Sequence, residues 1–367
     1  MPLVDLARLH APLADELQAA LASLLHSGAF TLGAELEQFE NAFAAYIGAR
    51  HCVGVASGTA ALALTLEAYG VGPGDEVIVP AHTCIASAFA VTEVGATPVL
   101  CDVKRETGLI DVGAVRAVIG GHTAAIMPVH LYGQVCEMAS LQAVAERHGL
   151  LVIEDVAHAH GSLYHGARAG SLGAAGAFSF SPTTNLGCLG DGGAVCTDDD
   201  LLAARLRRLR NLGQRSKGDH VESGHNERLD AVQAAWLGVK LPYLDAWNAA
   251  RRDHAARYRQ LLPESVRPLE ERRASPCTYH LFPVRVSART RVAAALREQG
   301  IQTAVHYSPA VHQHGAWRDQ RLRHGPLAEA EQWAEEELSL PMHPDLRPEE
   351  IERVAEALHE AVASEPA

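Results

Sequence analysis

Between residues 51 and 197, seven apolar stretches alternate with segments of helical period, and this alternation constrains the fold more than any other feature of the chain. The stretches are 51–56, 76–80, 97–103, 124–130, 150–155, 177–181 and 193–197. Helical periodicity predicts helices at 58–70, 84–94, 111–118 and 137–148. Strands that are apolar throughout, rather than alternating, have both faces covered, which predicts a mostly parallel seven-stranded α/β sheet between helices. Residues 11–27 and 34–46 read as amphipathic helices that precede the sheet.

Beyond residue 200 the pattern changes. A basic helix is predicted at 198–211, a polar loop at 212–225, and a helical run from 228 to 262 broken near Pro242. Strand 279–286, helix 290–299, strand 302–307, helix 326–337 and helix 347–362 form a second, smaller α/β unit. The expected division is a large domain over 1–245 and a small C-terminal domain over 246–367. A chain of 367 residues suits two cores better than one.

The net charge of −13 gives no electrostatic reason to bind nucleic acid. No apolar run is long enough to cross a membrane and no secretory leader is visible, so a cytoplasmic protein is expected. The seven cysteines include no CxxC pair, so neither a metal site nor a disulfide framework is expected. Only three lysines occur, Lys104, Lys217 and Lys240.

Four segments carry candidate chemistry. Ser57-Gly58-Thr59-Ala60 lies between a strand and a helix. It is either a plain N-cap or an anion site that uses free N–H groups and the helix dipole. Glu154-Asp155 ends an apolar strand, where open α/β sheets bind ligands. Such a carboxylate is either a buried structural acid or a ligand contact. Residues 178–193 run from a strand end into a glycine-rich turn. Residues 224–230 (GHNERLD) precede the long helix.

Taken together, these segments resemble the DegT/DnrJ/EryC1/StrS sugar aminotransferases, of the fold-type I pyridoxal-phosphate enzymes. The resemblance spans essentially the whole chain and rests on VPAHTCIASAFAVTEVGATPVLCDV, VIEDVAHAHGS, AFSFSPTTNLGCLGDGGAV, GHNERLDAVQAAWLGVKL, YHLFPVRV and GIQTAVHYSPAVHQH. It implies that Gly58, Thr59 and Ser179 hold the cofactor phosphate, that Asp155 pairs with the pyridine nitrogen, and that His158 lies against the ring. Cys84 would stand where many relatives place an aromatic. Asn226 would reach the phosphate in the neighbouring subunit of a homodimer with shared active sites. Arg228, His306 and Tyr307 would sit near the mouth for a keto sugar, nucleotide-linked in many relatives, or a keto cyclitol.

One position departs from the family pattern S-F-x-P-T-K-N-L-G. Here the segment is Ser179-Phe180-Ser181-Pro182-Thr183-Thr184-Asn185-Leu186-Gly187, with Thr184 at the lysine position. A threonine hydroxyl forms no imine and is no base near neutral pH. Three outcomes follow. The chain is a repurposed enzyme of sugar or aminocyclitol biosynthesis, working without an internal aldimine and with His158 as acid/base group. Or it is a conventional aminotransferase carrying a lysine-to-threonine substitution. Or it is a non-catalytic partner of an active homologue. The cofactor expected is pyridoxal or pyridoxamine phosphate, held non-covalently, or none.

Overall fold

The structure, a computed structural model, describes residues 1–272, 275–318 and 321–363. Residues 273–274, 319–320 and 364–367 of the expected C-terminal unit lie outside the described residues.

All seven predicted strands of the large sheet form: β1 His51–Val55, β2 Glu76–Pro80, β3 Thr97–Cys101, β4 Thr123–Ile126, β5 Leu151–Asp155, β6 Ala175–Ser179 and β7 Gly193–Thr197. An eighth strand joins them. Arg323–His324 pairs in parallel beside β3, so the order is β1-β7-β6-β5-β4-β2-β3 with Arg323–His324 at the edge. Two residues carry no periodicity, which is why the sequence predicts seven strands. Only β7 runs antiparallel to its neighbours. Helices cover the sheet, among them α1 Gly58–Ala68 and α2 Ile85–Glu93, both close to their predicted bounds. Residues 60–66 of α1 are buried without exception, as a helix wedged between sheet and neighbours must be.

The long run divides at Pro242 into Ala231–Lys240 and Leu244–Leu261, joined by a 3-10 turn at Leu241–Tyr243. The proline ring cannot supply the backbone N–H of a continuous helix. In the C-terminal unit, Arg267–Pro268, β8 Phe282–Arg285 and β9 Glu337–Leu340 form an antiparallel sheet. Here two expectations fail. Glu337–Leu340, of which only residue 337 falls in the predicted helix 326–337, is a strand, while the helix spans Ala328–Glu336. Residues 302–307 form no strand and make one bridge, Ala304 to Ser339. That segment turns away from the sheet and carries His306 and Tyr307 to the strand ends of the large domain.

The first residues of the chain cross over to the C-terminal unit. Met342 N–H donates to Leu3 O at 3.0 Å, and Arg8 forms a two-pronged pair with Glu350 at 2.9 and 3.0 Å.

Candidate active site

A cavity of about 310 Å³ opens at the carboxyl ends of β5 and β6 and the N-terminus of α1. Gly58, Thr59, Cys84, Asp155, His158, Ser179, Thr184, His306 and Tyr307 all line it. A wider hollow of about 640 Å³ lies on the surface by Arg289 and Arg297, away from the strand ends, and brings no such group together. The strand-end cavity is therefore the chemical site.

The floor begins at β1. Buried Glu40 accepts the N–H of Gly54 at 2.7 Å, while Arg210 donates to the Gly54 carbonyl at 2.7 Å and pairs with Glu40. This clamp fixes the strand three residues before Ser57, whose hydroxyl caps α1 by accepting from Ala60 N–H at 3.0 Å. A Cβ on Gly58 would sit 2.6 Å from Ser179 Cβ, so only glycine lets helix and strand approach this closely. The result is a helix N-terminus with free N–H groups facing the Ser179 side chain, a cradle for an anion.

The two adjacent carboxylates separate cleanly. Glu154 is fully buried and accepts from the N–H groups of Gly170, Leu172 and Gly173 at 2.7–2.9 Å and from His130 Nε2 at 2.8 Å. It is a structural acid. For His130, burial lowers its basicity, but Cys136 and Glu154 outweigh this and raise it to about 10. Asp155 points the other way, as strand alternation requires. It accepts from Ser87 Oγ at 2.7 Å and Ala157 N–H at 3.1 Å. Burial pushes its carboxyl above the usual range, and these two donors oppose that shift.

His158 has no nitrogen to spare. Nδ1 accepts from Tyr132 N–H at 3.3 Å, which leaves the ring proton on Nε2, 3.1 Å from the Tyr307 hydroxyl. Its ring lies 4.3 Å from that of His280. Burial, aided by His306 and His160, lowers His158 to about 3, so the ring is neutral near pH 7. The acid/base role expected from its ordinary titration range does not fit this environment.

Thr184 is buried, and its hydroxyl turns back onto the main chain, with Ser181 O at 2.8 Å and Leu186 O at 3.1 Å. Asn185 ties the same turn to the C-terminal unit through Asn248 Oδ1 at 2.7 Å and Thr278 O at 3.1 Å. None of the three lysines lines the cavity. Lys104 pairs with Glu137 at 2.7 Å. Lys217 is exposed in the turn between Gln214–Ser216 and Asp219–His220. Lys240 is buried, donates to Gly187 O at 2.6 Å and lies 2.7 Å from His10; burial lowers it to about 8.

Asn226 and Arg228 lie outside the cavity lining. Asn226 is exposed, with its backbone paired to Asn211, and Arg228 donates to Asn211 Oδ1 at 2.9 Å. The structure also brings in groups that the sequence reading did not single out: Ser87 and His280 line the cavity, and Glu337 and Ser339 stand behind His306. Ser87 lies one helical turn from Cys84 and His280 within the segment YHLFPVRV, whereas Glu337 and Ser339 carry no sequence signal.

The cradle and the carboxylate suit a phosphate-bearing pyridine cofactor: an anion seat at one end, Asp155 at the other and the flat His158 ring between. Nothing in the cavity suits a covalent link to an aldehyde, because no amine lines it.

Known proteins place this geometry. Residues 12–359 match the DegT/DnrJ/EryC1/StrS aminotransferase family. A dTDP-3-amino-3,4,6-trideoxy-alpha-D-glucose transaminase of Streptomyces venezuelae is 45% identical, covering 98% of this chain and 96% of its own. A dTDP-3-amino-3,6-dideoxy-alpha-D-galactopyranose transaminase of Aneurinibacillus thermoaerophilus is 44% identical, over 98% and 99%. Among solved structures, S. venezuelae DesV in complex with a ketimine intermediate superposes with a TM-score of 0.96 at 44% identity, over 100% of this chain and 99% of that one. NtdA of Bacillus subtilis with bound PMP gives 0.92 at 31%, over 99% and 85%.

Proposed function

Because the chain belongs to the DegT/DnrJ/EryC1/StrS aminotransferase family, we propose that its cavity binds pyridoxal or pyridoxamine phosphate without a covalent link, takes a nucleotide-linked keto sugar, and is blocked for ordinary transamination at Thr184. The carrying observation is a contrast within one site. The cradle at Gly58, Thr59 and Ser179 and the carboxylate of Asp155 are intact, while the cavity holds no lysine. In this reading Thr184 stands at the position of the family's imine-forming lysine.

Each residue then has a task. The N–H groups at Gly58 and Thr59 and the Ser179 hydroxyl seat the phosphate. Asp155, oriented by Ser87, would pair with the ring nitrogen, and His158 lies against the ring as a neutral plate. Cys84 completes that wall. The cofactor, when bound, supplies an electron sink. Arg228, His306 and Tyr307 would meet the sugar. The working unit is a cytoplasmic homodimer in which Asn226 serves the neighbouring site. The names of the two transaminases support a dTDP-linked sugar as substrate class.

A second reading, a subunit that completes the site of an active homologue, is favoured by one observation: Asn226 is exposed and away from its own cavity. Thr184→Lys separates the two. Incubated with pyridoxal phosphate, the variant should gain the visible absorbance of an imine and amino transfer to a dTDP-linked keto sugar, both absent from the native chain. A variant that binds cofactor but transfers nothing would favour the partner reading. A native chain as active as the variant would overturn the block at Thr184.

A further inference from the structure

The lysine of an aminotransferase also moves protons, and the cavity contains a different group built for that task. His306 lines the cavity opposite the cradle. Its Nδ1 is 2.9 Å from Ser339 Oγ, and Ser339 Oγ donates to Glu337 Oε1 at 2.5 Å. The other carboxylate oxygen, Oε2, accepts the backbone N–H of His306 at 2.6 Å, and Tyr132 donates its hydroxyl to the His306 carbonyl at 2.6 Å. Backbone and ring are thus both held. Ser339 and Glu337 share one face of β9, two residues apart, and both are fully buried. With Nδ1–H committed to Ser339, Nε2 has no partner among the described residues and is left to the cavity.

This is an imidazole backed by a hydroxyl and a carboxylate. Burial lowers His306 to about 4, which alone makes it a weak base. Burial raises Glu337 to about 8, against the pull of Ser339 and the His306 N–H. Once ionised, above about pH 8, the carboxylate is the stronger proton acceptor, and the chain connects it to the cavity through Ser339 and His306. Tyr307 lies beside them. His158 Nε2 donates to its oxygen, and its hydroxyl reaches the Cys84 sulfur, a weak acceptor that an oxygen bound in the cavity would displace.

We propose that His306 is a catalytic base that removes the proton from the carbon next to the ketone of a bound keto sugar, with Ser339 and Glu337 as positioning residues, so that the cavity tautomerises keto sugars without any cofactor. Nε2 takes the proton as the C–H bond breaks. That electron pair forms a C=C bond, and the carbonyl π pair moves onto oxygen, where Tyr307 donates a hydrogen bond. The Nδ1 proton passes to Ser339 as the Ser339 proton passes to Glu337. The reverse sequence returns a proton from Nε2 to the same face of the same carbon, so that the hydrogen exchanges with solvent. No oxidant or reductant is involved. The proposal rests on the reading that the cavity takes a keto sugar.

The test uses the cofactor-free full chain with a dTDP-linked 3-keto-6-deoxyhexose in D2O at a pH just above 8, where Glu337 is ionised, with buffer at the same pH as the reference. Proton NMR follows loss of the signals at the carbons flanking the ketone, and saturation-transfer NMR reports binding. The native chain should exchange these positions at least about tenfold faster than buffer. His306→Gln should return exchange to the buffer rate with binding retained. Ser339→Ala should lower exchange about tenfold and Ser339→Thr, which keeps the hydroxyl, should restore it. A sugar that binds but exchanges no faster than in buffer, or native exchange in His306→Gln or Ser339→Ala, overturns the base and leaves the keto-sugar reading standing. A sugar that does not bind overturns both.

Discussion

The two walls of the cavity hold their polar groups in different ways. The wall built from strand ends and the N-terminus of α1 fixes charge with immobile donors: backbone N–H groups at Gly58 and Thr59, and Ser87 and Ala157 on Asp155. The wall supplied by the C-terminal unit offers groups whose protons can move: His306, Ser339, Glu337 and Tyr307. The first wall is suited to holding an anionic, planar ligand. The second is suited to acid/base chemistry, which continues to make sense when no lysine is present. Thr184 lies between them, its hydroxyl engaged with the main chain.

The contrast can be broken at defined positions. The largest effect is expected next to the site rather than in it. Glu154→Ala leaves three buried N–H groups and the His130 imidazole without their acceptor, and should cost about 3–5 kcal/mol of stability in urea unfolding. Gly58→Val drives a side chain into Ser179. It should weaken pyridoxamine phosphate binding in calorimetry by about 10- to 100-fold and leave sugar exchange at the second wall measurable. Asp155→Asn keeps the fold and the Ser87 contact but removes the charge; cofactor affinity should fall about tenfold, with unfolding nearly unchanged.

The smallest effect concerns pH. Glu337 titrates near 8 in the folded chain against 4.5 as its ordinary value. Between those values the folded chain holds a proton that the unfolded chain has lost, so this group makes stability fall as pH rises. The buried histidines act in the opposite sense. His158 and His306 are lowered to about 3 and 4, so their contribution rises with pH up to about 6.5 and is then complete. His130, raised instead to about 10, also makes stability fall over this range, so the Glu337 contribution is the difference between the native chain and Glu337→Gln from about pH 7 to 8. Across that unit Glu337→Gln should remove about 1 kcal/mol of the decline in the free energy of urea unfolding.

Much of this was legible in the chain. The alternation over 51–197 led to seven of the eight sheet strands because each is apolar throughout and bounded by helical period. Arg323–His324 was not legible, since a two-residue strand has no pattern. Glu337–Leu340 was missed because its apolar run follows directly on the helix at Ala328–Glu336. With it went the pairing of Glu337 and Ser339 on one face. The site residues drawn from the resemblance gather in the cavity except Asn226 and Arg228, which lie outside it. The choice between Glu154 and Asp155 needed the structure, although strand alternation already implies that only one can face a ligand. His158 was misjudged as an acid/base group because its ordinary titration range says nothing about a ring that is buried with both nitrogens engaged.

The central claim is a kept cradle without a covalent anchor. The most direct measurement incubates the native chain with pyridoxal phosphate, reduces with borohydride and records the intact mass, with cofactor retention followed in parallel by equilibrium dialysis. The account predicts retained cofactor and an unchanged protein mass. A mass increase of one pyridoxyl phosphate group, mapped to Lys240, Lys217 or Lys104, would contradict it.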